Sequence, residues 1–278
     1  MLASLFLVSL VLLGACAALD PVGAARDDAA RAAARAGLAA RVLPAGRFRL
    51  LTYRRVPAAP ARDLVAYIEG DGHAWDSPSR PSRDPTPRDP GALDLAVRDP
   101  APAVAYIARP CQYVTGADRT GCHPRYWTGA RFAPEVLDAV QEALDRTMRA
   151  AGASRLHLVG FSGGGVLATL AAARRTDVAS LVTVASPLNL GAWVAHHRLT
   201  PLAGSLDPAA PGQPRPAAPQ AHLVGARDTV VPPAVARAYL GAGSPALRLI
   251  AGADHRCCWV PGWARRITDL RRELAGGG

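Results

Sequence analysis

Short apolar runs alternating with amphipathic stretches constrain this chain most. Leu156 to Gly160, Val178 to Ala185, Ala221 to Gly225 and Ala246 to Ala251 are each the length of one strand. Between and after them, Gly163 to Arg174, Pro233 to Leu240 and Trp263 to Leu274 carry the spacing of helices. Strands with no polar alternation are buried on both faces, so they need helices on either side. The pattern predicts βαβ units and an α/β fold with a mostly parallel central sheet.

Upstream, Arg47 to Arg55 alternates apolar and polar residues and reads as a half-buried strand. Leu64 to Ile68 and Ala103 to Ala108 read as buried strands. Pro134 to Ala151 places Val136, Leu137, Val140, Leu144 and Met148 at helical spacing, with Pro134 in its first turn and Gly152 at its end. Five prolines between Ser77 and Gly91 mark a loop. Leu199 to Gln220 holds six prolines and little periodicity, and is expected to be a lid, a specificity loop or a surface excursion.

Half of the 278 residues are apolar, which excludes a disordered chain. The net charge of +10 comes entirely from arginine, since lysine is absent. The arginines are scattered in runs of at most two, and aromatics are only 5%. That argues for a solvated basic surface and against nucleic acid as a partner.

The N-terminus reads as an address. Leu2 to Leu19 is uncharged and apolar, and Leu13-Gly14-Ala15-Cys16 resembles a bacterial lipobox, although Met1 to Ser4 lacks the usual basic residue. The expected organisation is a signal peptide over 1–15, a lipidated N-terminus and tether over 16–45, and one catalytic domain over 46–278. An ordinary signal peptide or uncleaved anchor is the alternative. Acylation of Cys16 would attach the protein to a membrane facing the periplasm, and Ala17 resembles the sorting pattern of the outer membrane. Export leaves Cys111, Cys122, Cys257 and Cys258 in an oxidising compartment. Cys111 and Cys122 are close in a segment dense in Pro, Gly and aromatics and are the expected pair. Cys257 and Cys258 would form a vicinal disulfide or stay thiols. Zinc held with His123 and His255 lacks a C-x-x-C pair, so no metal and no cofactor are expected.

Gly160-Phe161-Ser162-Gly163-Gly164 matches G-x-S-x-G between a predicted strand and helix. That junction turns sharply and aims the first helical N–H groups at the serine. A serine needs a base, and the base an orienting acid. Asp228 stands just past the strand ending at Gly225, and His255 just past the last strand, in the chain order Ser, Asp, His. With these three loops the sequence resembles the α/β-hydrolase superfamily over roughly residues 47 to 275. Its Glu69-Gly70-Asp71-Gly72, Arg109-Pro110-Cys111-Gln112-Tyr113, Tyr126-Trp127-Thr128 and His255-Arg256-Cys257-Cys258-Trp259 segments resemble a bacterial group of that superfamily.

The resemblance implies a serine hydrolase acting on an ester-like small molecule, with Ser162, His255 and Asp228 catalytic. It implies an oxyanion hole formed by the N–H groups of Gly163 and Asp71. Asp71 stands where the superfamily often has a His-Gly turn, so its charge needs neutralising; Arg109 is the expected partner. Asp254 is a rival orienter for His255. His157 is expected to be a core or edge histidine, and His196 and His197 surface residues. The alternatives are acyl transfer, thioester or peptide cleavage on the same residues, or a non-catalytic envelope lipoprotein.

Overall fold

The computed structural model describes residues 20–276. The apolar N-terminal run, expected as a signal peptide, and Cys16 lie outside them. The central sheet has eight strands: β1 (Ala39–Ala45), β2 (Phe48–Arg55), β3 (Asp63–Ile68), β6 (Val104–Ile107), β7 (Arg155–Phe161), β8 (Val178–Val184), β9 (Gln220–Gly225) and β10 (Leu247–Ile250). Two short strands, β4 (Trp75–Ser77) and β5 (Arg80–Pro81), form a separate hairpin. The spatial order is β1-β2-β6-β3-β7-β8-β9-β10. From β6 to β10 neighbouring strands are parallel; β1, β2 and β6 pair antiparallel at the other edge. This is the α/β architecture that the alternation of short apolar runs predicts, and it is the α/β-hydrolase fold.

The pleat divides the core in two. Along β3, Leu64, Ala66 and Ile68 join one apolar cluster, while Val65 and Tyr67 join the other. The first cluster is covered by α3 (Pro134–Ala151) and α4 (Gly163–Ala172). Val136, Leu137, Val140, Leu144 and Met148 are all buried there. Each fully buried Leu or Val side chain contributes about 1.5–3 kcal/mol. Gly152 ends α3 in the left-handed region at φ 62°, where it has no Cβ to clash. The second cluster is covered by α1 (Pro21–Arg35), α2 (Gly91–Ala96) and α7 (Trp263–Gly276), with Trp263 and Ile267 buried. Two further helices, α5 (Leu190–His197) and α6 (Pro233–Leu240), follow β8 and β9.

The segment from residue 20 to 45 is folded, not a tether. Asp20 caps α1 through the Val22 and Gly23 N–H groups, and Ala29 and Ala33 are buried. Arg26 pairs with Asp84 at 2.5 Å, and Arg55 donates to the Ala36 carbonyl. β1 is paired with β2 along its whole length. α1 and β1 are therefore packed as part of the domain. Leu199 to Gln220 is irregular, but it packs beside α5 rather than over a site: Asp207 accepts from the Leu190 and Gly191 N–H groups, and Leu206 donates to the Phe132 carbonyl. Among the described residues no helix is long and apolar enough to cross a membrane.

Candidate active site

The carboxyl ends of the parallel strands converge on one edge of the sheet, where open α/β sheets bind ligands. Ser162 follows β7 and stands at φ 51° and ψ −125°, a strained conformation for a residue with a side chain. Its N–H donates to the Val184 carbonyl at 2.8 Å, which holds the turn against β8. A Cβ on Gly164 would collide with the Ile68 carbonyl, so only glycine lets α4 start this close to β3.

His255 approaches from the loop after β10. Its Nε2 lies 3.2 Å from Ser162 Oγ, and its Nδ1 lies 3.0 Å from Asp228 Oδ2. With Nδ1–H donating to the carboxylate, Nε2 is free to accept from the serine hydroxyl. Asp228 is buried, and its Oδ1 accepts from the Val230 and Val231 N–H groups at 2.8 and 2.7 Å. One oxygen thus fixes the acid's own loop and the other fixes the imidazole. Asp254 does not orient His255; its Oδ1 accepts from the Arg256 and Cys257 N–H groups within its own turn. The Trp259 indole N–H donates to the His255 carbonyl at 3.2 Å and closes that turn.

The turn after β3 carries two acids beside the serine, and each has cations or amides to meet it. Glu69 is buried and accepts from the N–H groups of Gly70, Ala92 and Leu93. Burial raises its pKa, and those amides work against the rise. The Asp71 carboxylate takes Arg109 Nη1 on one oxygen and Arg131 Nη1, at 2.6 Å, on the other. Burial pushes the Asp71 pKa up, but the two guanidiniums outweigh it and hold the group below the usual range. Arg109 was expected from the sequence; Arg131 was not. Arg131 lies in an aperiodic segment far from Asp71 in the chain, with no local signal to connect them.

A cavity of about 570 Å³ opens onto this edge, lined by Ser162 and His255 with Asp71, Arg131, Phe161 and Trp193 among others. None of residues 199–220 lines it. Trp193 and His197 stand on α5 and both donate to the Val230 carbonyl, so α5 is tied to the acid's loop. His196 is exposed on the same helix.

Cys111 and Cys122 are joined in a disulfide that fastens the loop after β6, next to Arg109. Cys257 and Cys258 are joined to each other directly after the His255 turn, and both are exposed. Among the described residues no group of three or more His, Cys, Asp and Glu side chains is gathered as a metal site, and His123 instead caps a short 3₁₀ turn.

The fold has many relatives among solved structures. An esterase from Pyrococcus furiosus is 11% identical and covers 87% of this chain and 95% of its own, with a TM-score of 0.58. A membrane phospholipase A described as a bacterial virulence factor is 16% identical over 93% of both chains, with a TM-score of 0.56. An alpha-beta serine hydrolase homologue from Coxiella burnetii is 16% identical over 85% of this chain and 95% of its own, with a TM-score of 0.52. No protein-family model matches the sequence, and no curated protein matches it. At these identities the likeness establishes the fold alone, an α/β-hydrolase fold.

Proposed function

We propose that the protein is a serine hydrolase that cleaves an ester-like acyl bond of a small molecule. The observation that carries this reading is the pair of contacts on His255, one to Ser162 and one to Asp228. In the proposed reaction Ser162 Oγ attacks the acyl carbon while His255 Nε2 takes its proton. Asp228 holds the imidazole and balances the charge that the ring gains. The N–H groups of Gly163 and Asp71 receive the oxyanion of the tetrahedral intermediate. His255 then protonates the leaving group, and water, activated by the same ring, releases the acyl group from Ser162.

We propose further that the chain is exported and anchored to the envelope, on the outer membrane, through a lipid on Cys16. The Leu13-Gly14-Ala15-Cys16 sequence supports this. Incorporation of a clickable fatty acid that is lost in Cys16→Ala, with the protein leaving the membrane fraction, tests it; equal incorporation in both overturns it.

A fluorophosphonate probe tests the hydrolase reading. Wild type is expected to label on Ser162, and Ser162→Ala is not. Equally weak labelling of the two overturns the reading. A series of p-nitrophenyl esters of increasing chain length then reads the acyl group that the cavity accepts.

A further inference from the structure

We propose that Arg131 is a positioning residue for the oxyanion site, acting through Asp71 as the outer half of an Arg109–Asp71–Arg131 clamp. The proposal rests on the serine hydrolase reading.

The clamp lies against the turn that would receive the developing charge. A Cβ on Gly163 would collide with Asp71 Oδ1 and with Arg109 Nη1, so both groups lie against the residue that follows the nucleophile. Arg109 is nearly inaccessible, stacks 4.9 Å from the Phe132 ring centroid and donates its Nη2 to the Arg131 carbonyl. It therefore holds both Asp71 and the chain at Arg131. Arg131 returns to Asp71 from the other side and anchors its own Nε on the Thr128 carbonyl at 2.7 Å.

The charge count gives the clamp a second effect. Two guanidiniums face one carboxylate, and the side chains of Arg109, Arg131 and Asp71 are only 4%, 9% and 22% exposed. Solvent screens such a group weakly, and these three groups together carry one net positive charge, which the Glu69 carboxylate opposes when it is ionised. The fourth ionisable group, Glu69, is bound to the Gly70 amide and to the Ala92 and Leu93 amides at the start of α2 rather than to the arginines. A carboxylate next to an oxyanion site would oppose the reaction. Asp71 bound by two arginines does not, and its backbone N–H is held in place. Of the two arginines, Arg131 is the one that lines the cavity, and it meets Asp71 through one N–H. A lysine could supply that charge as a point cation, but not the Nε bond to Thr128.

The test uses the full chain with p-nitrophenyl butyrate and a fluorophosphonate titration of active sites. Arg131→Gln is expected to lower kcat by about 10- to 100-fold with KM changed by less than about 3-fold, the scale of losing support for one oxyanion donor. Arg131→Lys is expected to regain most of that loss, because the charge returns. Thermal midpoints of both variants separate folding from rate. Equal losses in Gln and Lys, or a loss that follows the thermal midpoint, mean that Arg131 is only a structural anchor and overturn the proposal. Wild-type kcat in Arg131→Gln overturns it as well. Absence of labelling in wild type overturns the hydrolase reading, and this proposal with it.

Discussion

Two Ser–His–Asp groupings sit in this sheet, one at each end of its strands, and only one of them opens both its serine and its histidine onto a cavity. Ser162, His255 and Asp228 stand beyond the carboxyl ends of β7, β10 and β9. Ser180, His157 and Asp63 lie near the amino ends of β8, β7 and β3, with His157 Nδ1 2.7 Å from Ser180 Oγ and Nε2 3.5 Å from Asp63 Oδ1. The second grouping's Ser–His contact is the shorter of the two, 2.7 Å against 3.2 Å, but its His–Asp contact is the longer, 3.5 Å against 3.0 Å. It differs in what surrounds it. Ser180 is 1% exposed and sits within a strand, with no helix N-terminus behind it. Asp63 is shared with Arg155 at 2.6 Å, and the hydrogen bond from Arg155 is the main cause of its lowered pKa. His157 is driven towards its neutral form, chiefly by burial. A hydrogen-bonded serine and histidine satisfy each other in a core just as they do in a site. Access, a strained turn and aligned N–H donors separate the two.

The largest expected effect separates the groupings outright. Ser162→Ala should lower kcat for a p-nitrophenyl ester by about 10⁴- to 10⁶-fold, the range for removing a nucleophile from a triad that acts as a unit. A residual rate within 10-fold of wild type would place the chemistry elsewhere. Asp228→Asn should follow with a loss of about 10³- to 10⁴-fold, since the amide favours the wrong tautomer of His255. Asp63→Asn should leave kcat within about 2-fold, because Asp63 has no contact with the cavity. If Asp63→Asn lost activity as Asp228→Asn does, the distinction drawn between the two acids would collapse.

The residues that separate the groupings were unevenly legible. Ser162, Asp228 and His255 each follow a short apolar strand within a few residues, so local pattern and chain order place them at one edge of the sheet. The strands and α3 were legible for the same reason. α1 and β1 were not, because the buried face of α1 is only Ala29 and Ala33, which in an Ala- and Arg-rich stretch give little periodic contrast. α2 was hidden behind the proline-rich loop, and its start is fixed by Glu69, a non-local cap. Arg131 was missed because an ion pair across 60 positions leaves no mark on spacing. Local signals mark the groups proposed to react, whereas the charges that surround them are set by tertiary packing.

The buried histidines carry a smaller effect, read as acid stability. His222 lies between Thr183 and Gln220, and burial pushes its pKa down to about 4 from 6.5. The unfolded chain then takes up a proton that the folded chain resists. Stability is full above about pH 6.5 and falls as pH drops towards 4, by roughly 3 kcal/mol for this group alone. His157 shifts in the same direction. Urea denaturation at pH 7 and pH 4 should show that loss in wild type and a shallower one in His222→Asn; equal slopes in the two would remove His222 from the account.

The smallest effect sharpens the comparison most. Ser180→Ala removes one partner of His157 Nδ1 and leaves a buried ring nitrogen unpaired, which costs about 1–2 kcal/mol of stability. The rate on a p-nitrophenyl ester should stay within about 2-fold under the proposed function, because no atom of Ser180 reaches the cavity beside Ser162. Fluorophosphonate should still label Ser180→Ala to full stoichiometry. A variant that folds with an unchanged urea midpoint would show that the Ser180–His157 bond contributes nothing net. One that keeps its stability but loses its rate would show that the amino edge of the sheet takes part in the reaction. Loss of stability without loss of rate is the expected outcome, and it assigns the same three residue types to packing at one end of the sheet and to chemistry at the other.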